Sequence, residues 1–211
     1  MHIIITSRCN MHCGHCGGAY TEKGADMTIE TFRNALNVSS GYISIGGGEP
    51  TIHPGFISML FEAIGTADGV WVATNGSQTQ IALTLAKLAK KGVISTALSI
   101  DKWHDEIDPR VIKAFERKEK IRGYDSEADV DMREIRNVSD RVIRSGRADW
   151  GRETCFCPDL TVCPDGTVTV CGCKEAPILG NVNTKVEYPD GFLYGECYKN
   201  QGVYGSQDIH N

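Results

Sequence analysis

Three cysteines stand at C-x3-C-x2-C spacing in Cys9-Asn10-Met11-His12-Cys13-Gly14-His15-Cys16, directly after the short apolar run Ile3-Ile4-Ile5. Three thiolates on one loop can hold three irons of a cubane 4Fe–4S cluster. The fourth iron then has no protein ligand from that loop. Open positions are where metal sites do chemistry, as with catalytic zinc, which keeps three protein ligands and one free site. Clusters that only carry electrons usually have four cysteines, and the bacterial ferredoxin run is spaced differently, C-x2-C-x2-C. A zinc knuckle is the competing assignment, with His12 or His15 as the fourth ligand.

The remaining cysteines form a second group. Cys155, Cys157, Cys163, Cys171, Cys173 and Cys197 all lie in the tail, and none falls between residues 17 and 154. That segregation predicts two separate metal sites, one at each end. Pro164-Asp165-Gly166 lies between Thr161-Val162 and Val168-Thr169-Val170 and reads as a β-hairpin turn. A hairpin brings cysteines on both strands together, which suits a zinc ribbon as well as an iron–sulfur cluster.

The elements that must position these groups alternate. His2 to Thr6, Tyr42 to Ile45, Val70 to Ala73 and Ser95 to Ile100 read as buried strands. A helix is predicted from Thr28 as N-cap to about Asn37, with Met27 and Phe32 as a hydrophobic staple. The next carries Ile57, Leu60, Phe61 and Ile64 as one apolar stripe. Ser77 and Gln80 form a capping-box pattern ahead of Ile81, Leu85 and Leu88, with Gly92 as the stop. Asp108-Pro109 opens a helix predicted to reach about Arg122. Ala128 to Ile135 reads as a fifth strand with Val130 and Met132 on one face, and Ser139 to Ser145 as a short helix ending at Gly146. Serial strand–helix units argue for an α/β fold with a parallel sheet, open barrel or doubly wound.

Polar groups gather where these strands end, the face on which parallel barrels place their sites. Gly46-Gly47-Gly48-Glu49-Pro50 follows the second strand; its glycines let a ligand approach bare backbone, and its carboxylate suits an ammonium group. Thr74-Asn75-Gly76 follows the third strand, and Ser99, Asp101 and Trp103-His104-Asp105 follow the fourth. His104 is the candidate catalytic residue, able to position a substrate or move a proton.

Taken together, the cysteine loop and the glycine-rich turn resemble the signatures of the radical S-adenosylmethionine (radical SAM) superfamily. That resemblance implies a partial, open TIM-like barrel over residues 1–150. It implies that Cys9, Cys13 and Cys16 hold a 4Fe–4S cluster whose free iron chelates the methionine end of SAM. An electron then cleaves SAM to methionine and a deoxyadenosyl radical, which abstracts hydrogen from a substrate. Gly46, Gly47, Gly48 and Glu49 match the family's "GGE" motif, which holds the SAM amino group. Asn75, Ser99 and Asp101 fall where the family places further SAM contacts, and His15 where it places an aromatic residue near the adenine.

The tail, residues 151–211, resembles a twitch or SPASM auxiliary-cluster domain: a small β-hairpin iron–sulfur domain. The resemblance lies in Cys157, Gly166 and Cys171 at the matching spacing and in Leu179-Gly180-Asn181-Val182. A full SPASM domain usually has seven cysteines and two clusters. Six cysteines here imply one auxiliary 4Fe–4S cluster, with Cys157, Cys171, Cys173 and Cys197 as ligands and Cys155 and Cys163 as rivals. The expected partners are SAM, an external electron donor such as flavodoxin or ferredoxin, and a peptide, small metabolite or nucleobase as substrate. For a nucleobase, Arg144, Arg147, Trp150 and Arg152 are the candidate contacts. The other function class is a non-catalytic iron–sulfur electron-transfer protein.

Composition sets the bounds. The chain has 211 residues, 41% hydrophobic and 23% charged, with formal net charge −5, which gives no global basic footprint for nucleic acid. No apolar run approaches the ~20 residues of a transmembrane helix. The start, Met-His-Ile-Ile-Ile, enters a strand directly and shows no signal peptide. Nine cysteines without an export signal point to metal in a reducing cytoplasm rather than to disulfides.

Overall fold

The computed structural model describes residues 1–39, 41–117, 130–137, 142, 144–148, 150, 159–173 and 176–188. The first four strands form where apolar side chains recur: β1 (His2–Thr6), β2 (Tyr42–Gly47), β3 (Gly69–Thr74) and β4 (Ser95–Ser99). β5 (Arg133–Arg136) follows in parallel beside β4. Between them run α1 (Ile29–Val38), a 3-10 turn (Pro50–Ile52), α2 (Phe56–Thr66), α3 (Thr79–Lys90) and α4 (Pro109–Phe115). The strand order is β5-β4-β3-β2-β1-β6-β7-β8. β1 to β5 are all parallel to their neighbours, which requires the helical crossovers seen here. Among the described residues the sheet does not close on itself, so the α/β barrel is partial and open.

The tail joins the same sheet. β6 (Thr161–Val162) pairs parallel to β1, with His2 opposite Thr161. β7 (Thr167–Thr169) and β8 (Ile178–Asn181) then add antiparallel strands. One hydrophobic core runs from Phe32, Ile43 and Leu60 to Val162, Val168 and Leu179.

Several ends form as the sequence predicts. Thr28 caps α1, its side chain accepting from the Thr31 N–H at 3.1 Å, and Met27 and Phe32 are both buried. Asp108 caps α4 by accepting from the Arg110 N–H at 2.9 Å. α3 ends in a Schellman arrangement: Gly92 has φ +71°, its N–H donates to Ala89 O, and the Val93 N–H donates to Leu88 O.

Other expectations are corrected. On α2 the buried face is Phe56, Met59, Leu60 and Ala63, while Ile57 and Phe61 are 40% and 55% exposed. Two overlapping apolar stripes share Leu60, and the sheet takes the one beginning at Phe56. The Ser77–Gln80 box does not form: Gln78 is the N-cap and makes no side-chain cap bond. Ser77 Oγ instead accepts from Asn10 Nδ2 at 2.9 Å. α4 stops at Phe115, and residues 118–122 lie outside the described residues. Val130 and Met132 are 57% and 47% exposed and precede β5 rather than forming its inner face. Of the helix expected over 139–145, residues 139–141 and 143 lie outside the described residues, and Ser145 forms a bridge with Ala148.

Candidate active site

The strand ends open onto a cavity of about 420 Å³. Cys9, Cys13 and Cys16 line it together with Gly46, Gly47, Gly48, Glu49, Asn75, Ser99, His15 and His104. All three cysteines are free thiols. They are the cavity's only cysteines among the described residues. The volume falls within the ~300–1,000 Å³ usual for small-molecule sites.

The loop that carries the thiols is tied at several points. The Cys9 N–H donates to Thr21 O at 2.7 Å, and the Cys16 N–H to Cys13 O at 3.2 Å. The Met11 N–H points at Cys9 Sγ, 3.5 Å away. Asn10 bridges to the third strand's end, accepting from Asn75 Nδ2 at 3.1 Å and donating to Ser77. Arg147 clamps the far side: Nε donates to Cys13 O at 2.9 Å, Nη1 to Tyr20 O at 2.8 Å, and its N–H to Cys16 O. Arg147 is therefore a brace for this loop, and Trp150 stacks on Trp103 with centroids 5.1 Å apart. Arg147 also lines the cavity and Trp150 is 40% exposed, and Arg152 lies outside the described residues. The brace was invisible in the sequence, where residues 144–152 read only as a basic stretch.

Charge explains what this loop needs. Burial pushes the Cys13 thiol up to about 11, with the charges of Cys9 and Cys16 adding to the effect. Burial also raises Cys9, against the pull of the Met11 N–H. Three thiolates this close require a compensating cation, and a metal inverts the balance by holding the thiols deprotonated. The donor set fits a cluster that takes three cysteines from this loop.

The glycines line the cavity, and the packing behind them also requires bare backbone. A Cβ at Gly46 would strike the His2 imidazole, one at Gly47 the Thr6 carbonyl and one at Gly48 the Arg8 carbonyl. Their missing side chains let β1 and the cysteine loop press against the turn. Glu49 is 1% exposed. Its Oε1 accepts from Thr51 N–H, Thr51 Oγ1 and Thr74 Oγ1, and its Oε2 from the Asn75 N–H at 2.7 Å. Burial raises its pKa, opposed by those hydrogen bonds. The carboxylate thus joins the ends of β2 and β3 and keeps spare acceptor capacity on Oε2 alone.

Beyond the fourth strand, Asp101 is 1% exposed in its side chain and stands behind the wall formed by His15 and His104. Its Oδ1 accepts from the Trp103 N–H at 2.8 Å and lies 2.9 Å from His104 Nδ1. Burial pushes Asp101 up, but the Trp103 N–H, His104 and His15 together hold it below its ordinary value. Burial lowers His15. Ser99 Oγ accepts from Arg136 at 3.3 Å, and Arg136 lies over the Trp71 ring.

In the tail, Cys171 is 3% exposed and belongs to the hydrophobic core, while Cys163 and Cys173 are half-buried. Cys155, Cys157 and Cys197 lie outside the described residues. The hairpin turn forms as expected, with Gly166 at φ +87°.

The model of the Radical SAM superfamily matches residues 3–133. A tungsten-containing aldehyde ferredoxin oxidoreductase cofactor-modifying protein of Pyrococcus furiosus is 32% identical over 108 residues, 48% of this chain and 30% of that protein. A GTP 3',8-cyclase of Haemophilus influenzae is 24% identical over 147 residues, 64% of this chain and 43% of that protein. Mycofactocin maturase MftC of Mycobacterium ulcerans is 29% identical over 116 residues, 51% of this chain and 30% of that protein. The chain thus spans less than half the length of these relatives. The solved structure of native anSMEcpe with bound AdoMet and Kp18Cys peptide is similar in fold, with TM-score 0.53 and 16% identity. That likeness covers 88% of this chain and 78% of the other. With its matching segment carrying the three-cysteine loop and running from β1 through β4 to the start of β5, the chain belongs to the radical SAM superfamily.

Proposed function

We propose that the chain is a radical SAM enzyme, and one observation carries this reading: three free thiols line one cavity with the Gly46–Glu49 turn, and no fourth cysteine is among the described residues that line it. Cys9, Cys13 and Cys16 would hold the 4Fe–4S cluster, leaving one iron for SAM. When bound, the cluster supplies the electron that cleaves SAM to a hydrogen-abstracting deoxyadenosyl radical. The protein's part is to bind, orient and exclude water. The Gly46–Gly48 backbone and the spare lone pair of Glu49 Oε2 face a ligand ammonium group. Asn75 and Ser99 offer polar contacts on the adjoining wall, with His15 in the position assigned to the adenine side. His104, its Nδ1 against Asp101, can hold or move a proton at Nε2. The Arg147 brace and the Asn10–Asn75 link keep the thiols at fixed positions, which preorganises the site.

Residues 151–211 are proposed to bind one auxiliary 4Fe–4S cluster through Cys157, Cys171, Cys173 and Cys197. An external flavodoxin or ferredoxin would supply the electron. GTP in one relative's name and a peptide in one neighbour's complex keep nucleotides, peptides and small metabolites as the substrate classes to screen.

The test is anaerobic. The protein is reconstituted with iron and sulfide, reduced, and given SAM, and deoxyadenosine is assayed by mass spectrometry. Its appearance, lost in Cys13→Ala, is the expected result. A reconstituted cluster whose spectrum ignores SAM and that yields no deoxyadenosine overturns the reading in favour of electron transfer.

A further inference from the structure

Beside the thiols, but using none of them, three other metal-ligating side chains converge. His15, Asp101 and His104 each offer one donor atom, and all of these lie within 4.8 Å of one another. His15 comes from the cysteine loop, while Asp101 and His104 come from the turn after β4. Their side chains are 12%, 1% and 8% exposed. Two of their buried polar atoms, His15 Nδ1 and Asp101 Oδ2, have no hydrogen-bond partner. A buried carboxylate oxygen without a donor is costly, so it points to a ligand.

The geometry points to a mononuclear divalent-cation site formed by His15, Asp101 and His104, for a first-row transition metal such as Mn2+, Fe2+ or Zn2+. Two imidazoles and one carboxylate are the donor set such ions favour, and they leave positions open. The two imidazole rings lie 5.3 Å apart and tilted. The surroundings supply what a metal site needs outside its ligands. The Trp103 N–H fixes the carboxylate through Oδ1. The Trp103 ring, 6.4 Å from His15 and backed by Trp150, forms an apolar wall. Gly14 lets that wall sit close, since a Cβ there would come within 3.1 Å of the Trp103 ring.

A cation here takes the place of the proton between His104 and Asp101. Because His15 and His104 line the cavity, its open positions face that space and accept an oxygen or nitrogen donor from a bound molecule. The inference goes beyond the radical SAM reading and does not depend on it.

The experiment uses the full chain with its clusters reconstituted, so that the thiols are occupied, and without SAM. Mn2+ is titrated and its free six-line paramagnetic resonance signal followed. One equivalent of Mn2+ bound per chain, coupled to two imidazole nitrogens, is the expected result. Asp101→Asn and His104→Gln should each weaken binding by at least the ~10–100-fold typical of supporting residues, with iron and sulfide content equal to the parent. Absence of Mn2+ binding overturns the site, as does binding that both variants retain. A Zn2+ X-ray absorption spectrum with sulfur in the first shell overturns it equally. Since deoxyadenosine formation plays no part in these readouts, failure here leaves the radical SAM reading untouched, and the reverse holds too.

Discussion

Cysteine serves two different ends of this sheet. At the C-terminal ends of β1 to β4, three thiols hang on a loop braced by Arg147 and Asn10 and open onto a cavity. On the tail hairpin, Cys171 is packed into the hydrophobic core, and Cys163 and Cys173 flank the strands half-buried. Free cysteine is as much a small apolar residue as a ligand. Position relative to a cavity, not the presence of a thiol, separates the two regions. The first region spends buried polar groups such as Glu49 and Asp101 on positioning. The described part of the second relies on a short β ladder and apolar packing.

The largest expected effect sits on that contrast. Cys13→Ala should bring deoxyadenosine formation down to background and remove iron from the first site, whereas Cys173→Ala should leave the yield of the first cluster's spectrum intact. Iron analysis and mass spectrometry check both. Equal loss in the two variants would break the distinction between the regions.

Glu49→Gln probes the buried clamp. The amide nitrogen would face donors that now meet a carboxylate oxygen, leaving at least one buried donor unpaired. The expected loss is about 2–4 kcal/mol, read by urea unfolding. A loss under about 0.5 kcal/mol, the usual range for surface changes, would show that the clamp at β2 and β3 contributes little.

Acid sensitivity should arise where β1 joins the two regions, at His2. Burial lowers His2 from 6.5 to about 4, despite Asp159 nearby. Between those values the unfolded chain binds a proton that the folded chain refuses, so stability rises with pH there. It is complete above about 6.5 and falls away toward pH 4. The span corresponds to at most about 3.4 kcal/mol at 1.36 kcal/mol per unit. His2→Gln should flatten that part of the stability profile; an unchanged profile would place the acid response elsewhere.

Much of this was legible in the sequence, and the gaps have physical causes. Strands β1 to β4, the Thr28 and Asp108 caps and the Gly92 stop are local patterns, and they appear within two residues of where the sequence predicts them. The three thiols and the glycine turn were legible because cluster chemistry fixes their spacing. The stripe on α2 was misread because the helix carries two apolar stripes and only packing chooses between them. Pairing of Thr161–Val162 with His2–Ile3 joins segments far apart in the chain, which no local pattern encodes. Glu49 looked like a ligand group and is also a structural acceptor, since a carboxylate's hydrogen-bond donors are set by the fold. The Arg147 brace belongs to the same class.

The smallest effect tests how finely the hairpin sets its cysteines. Asp165 Oδ1 accepts from the Thr167 N–H at 2.9 Å, and Oδ2 from Thr167 Oγ1 at 3.0 Å. Around it, Gly166 donates to Cys163 O and Cys163 donates to Thr167 O, so the backbone ladder closes the turn without the side chain. Asp165→Ala should therefore cost only about 0.5–1.5 kcal/mol by thermal or urea unfolding. With Cys157, Cys171, Cys173 and Cys197 as ligands, none of them in the turn, iron content should not change. Should iron fall while stability drops by no more than this, the turn geometry at Cys163 matters to the metal. Cys163 would then replace one of the four, and the hairpin would resemble the N-terminal loop, a place where backbone hydrogen bonds exist to hold a thiolate.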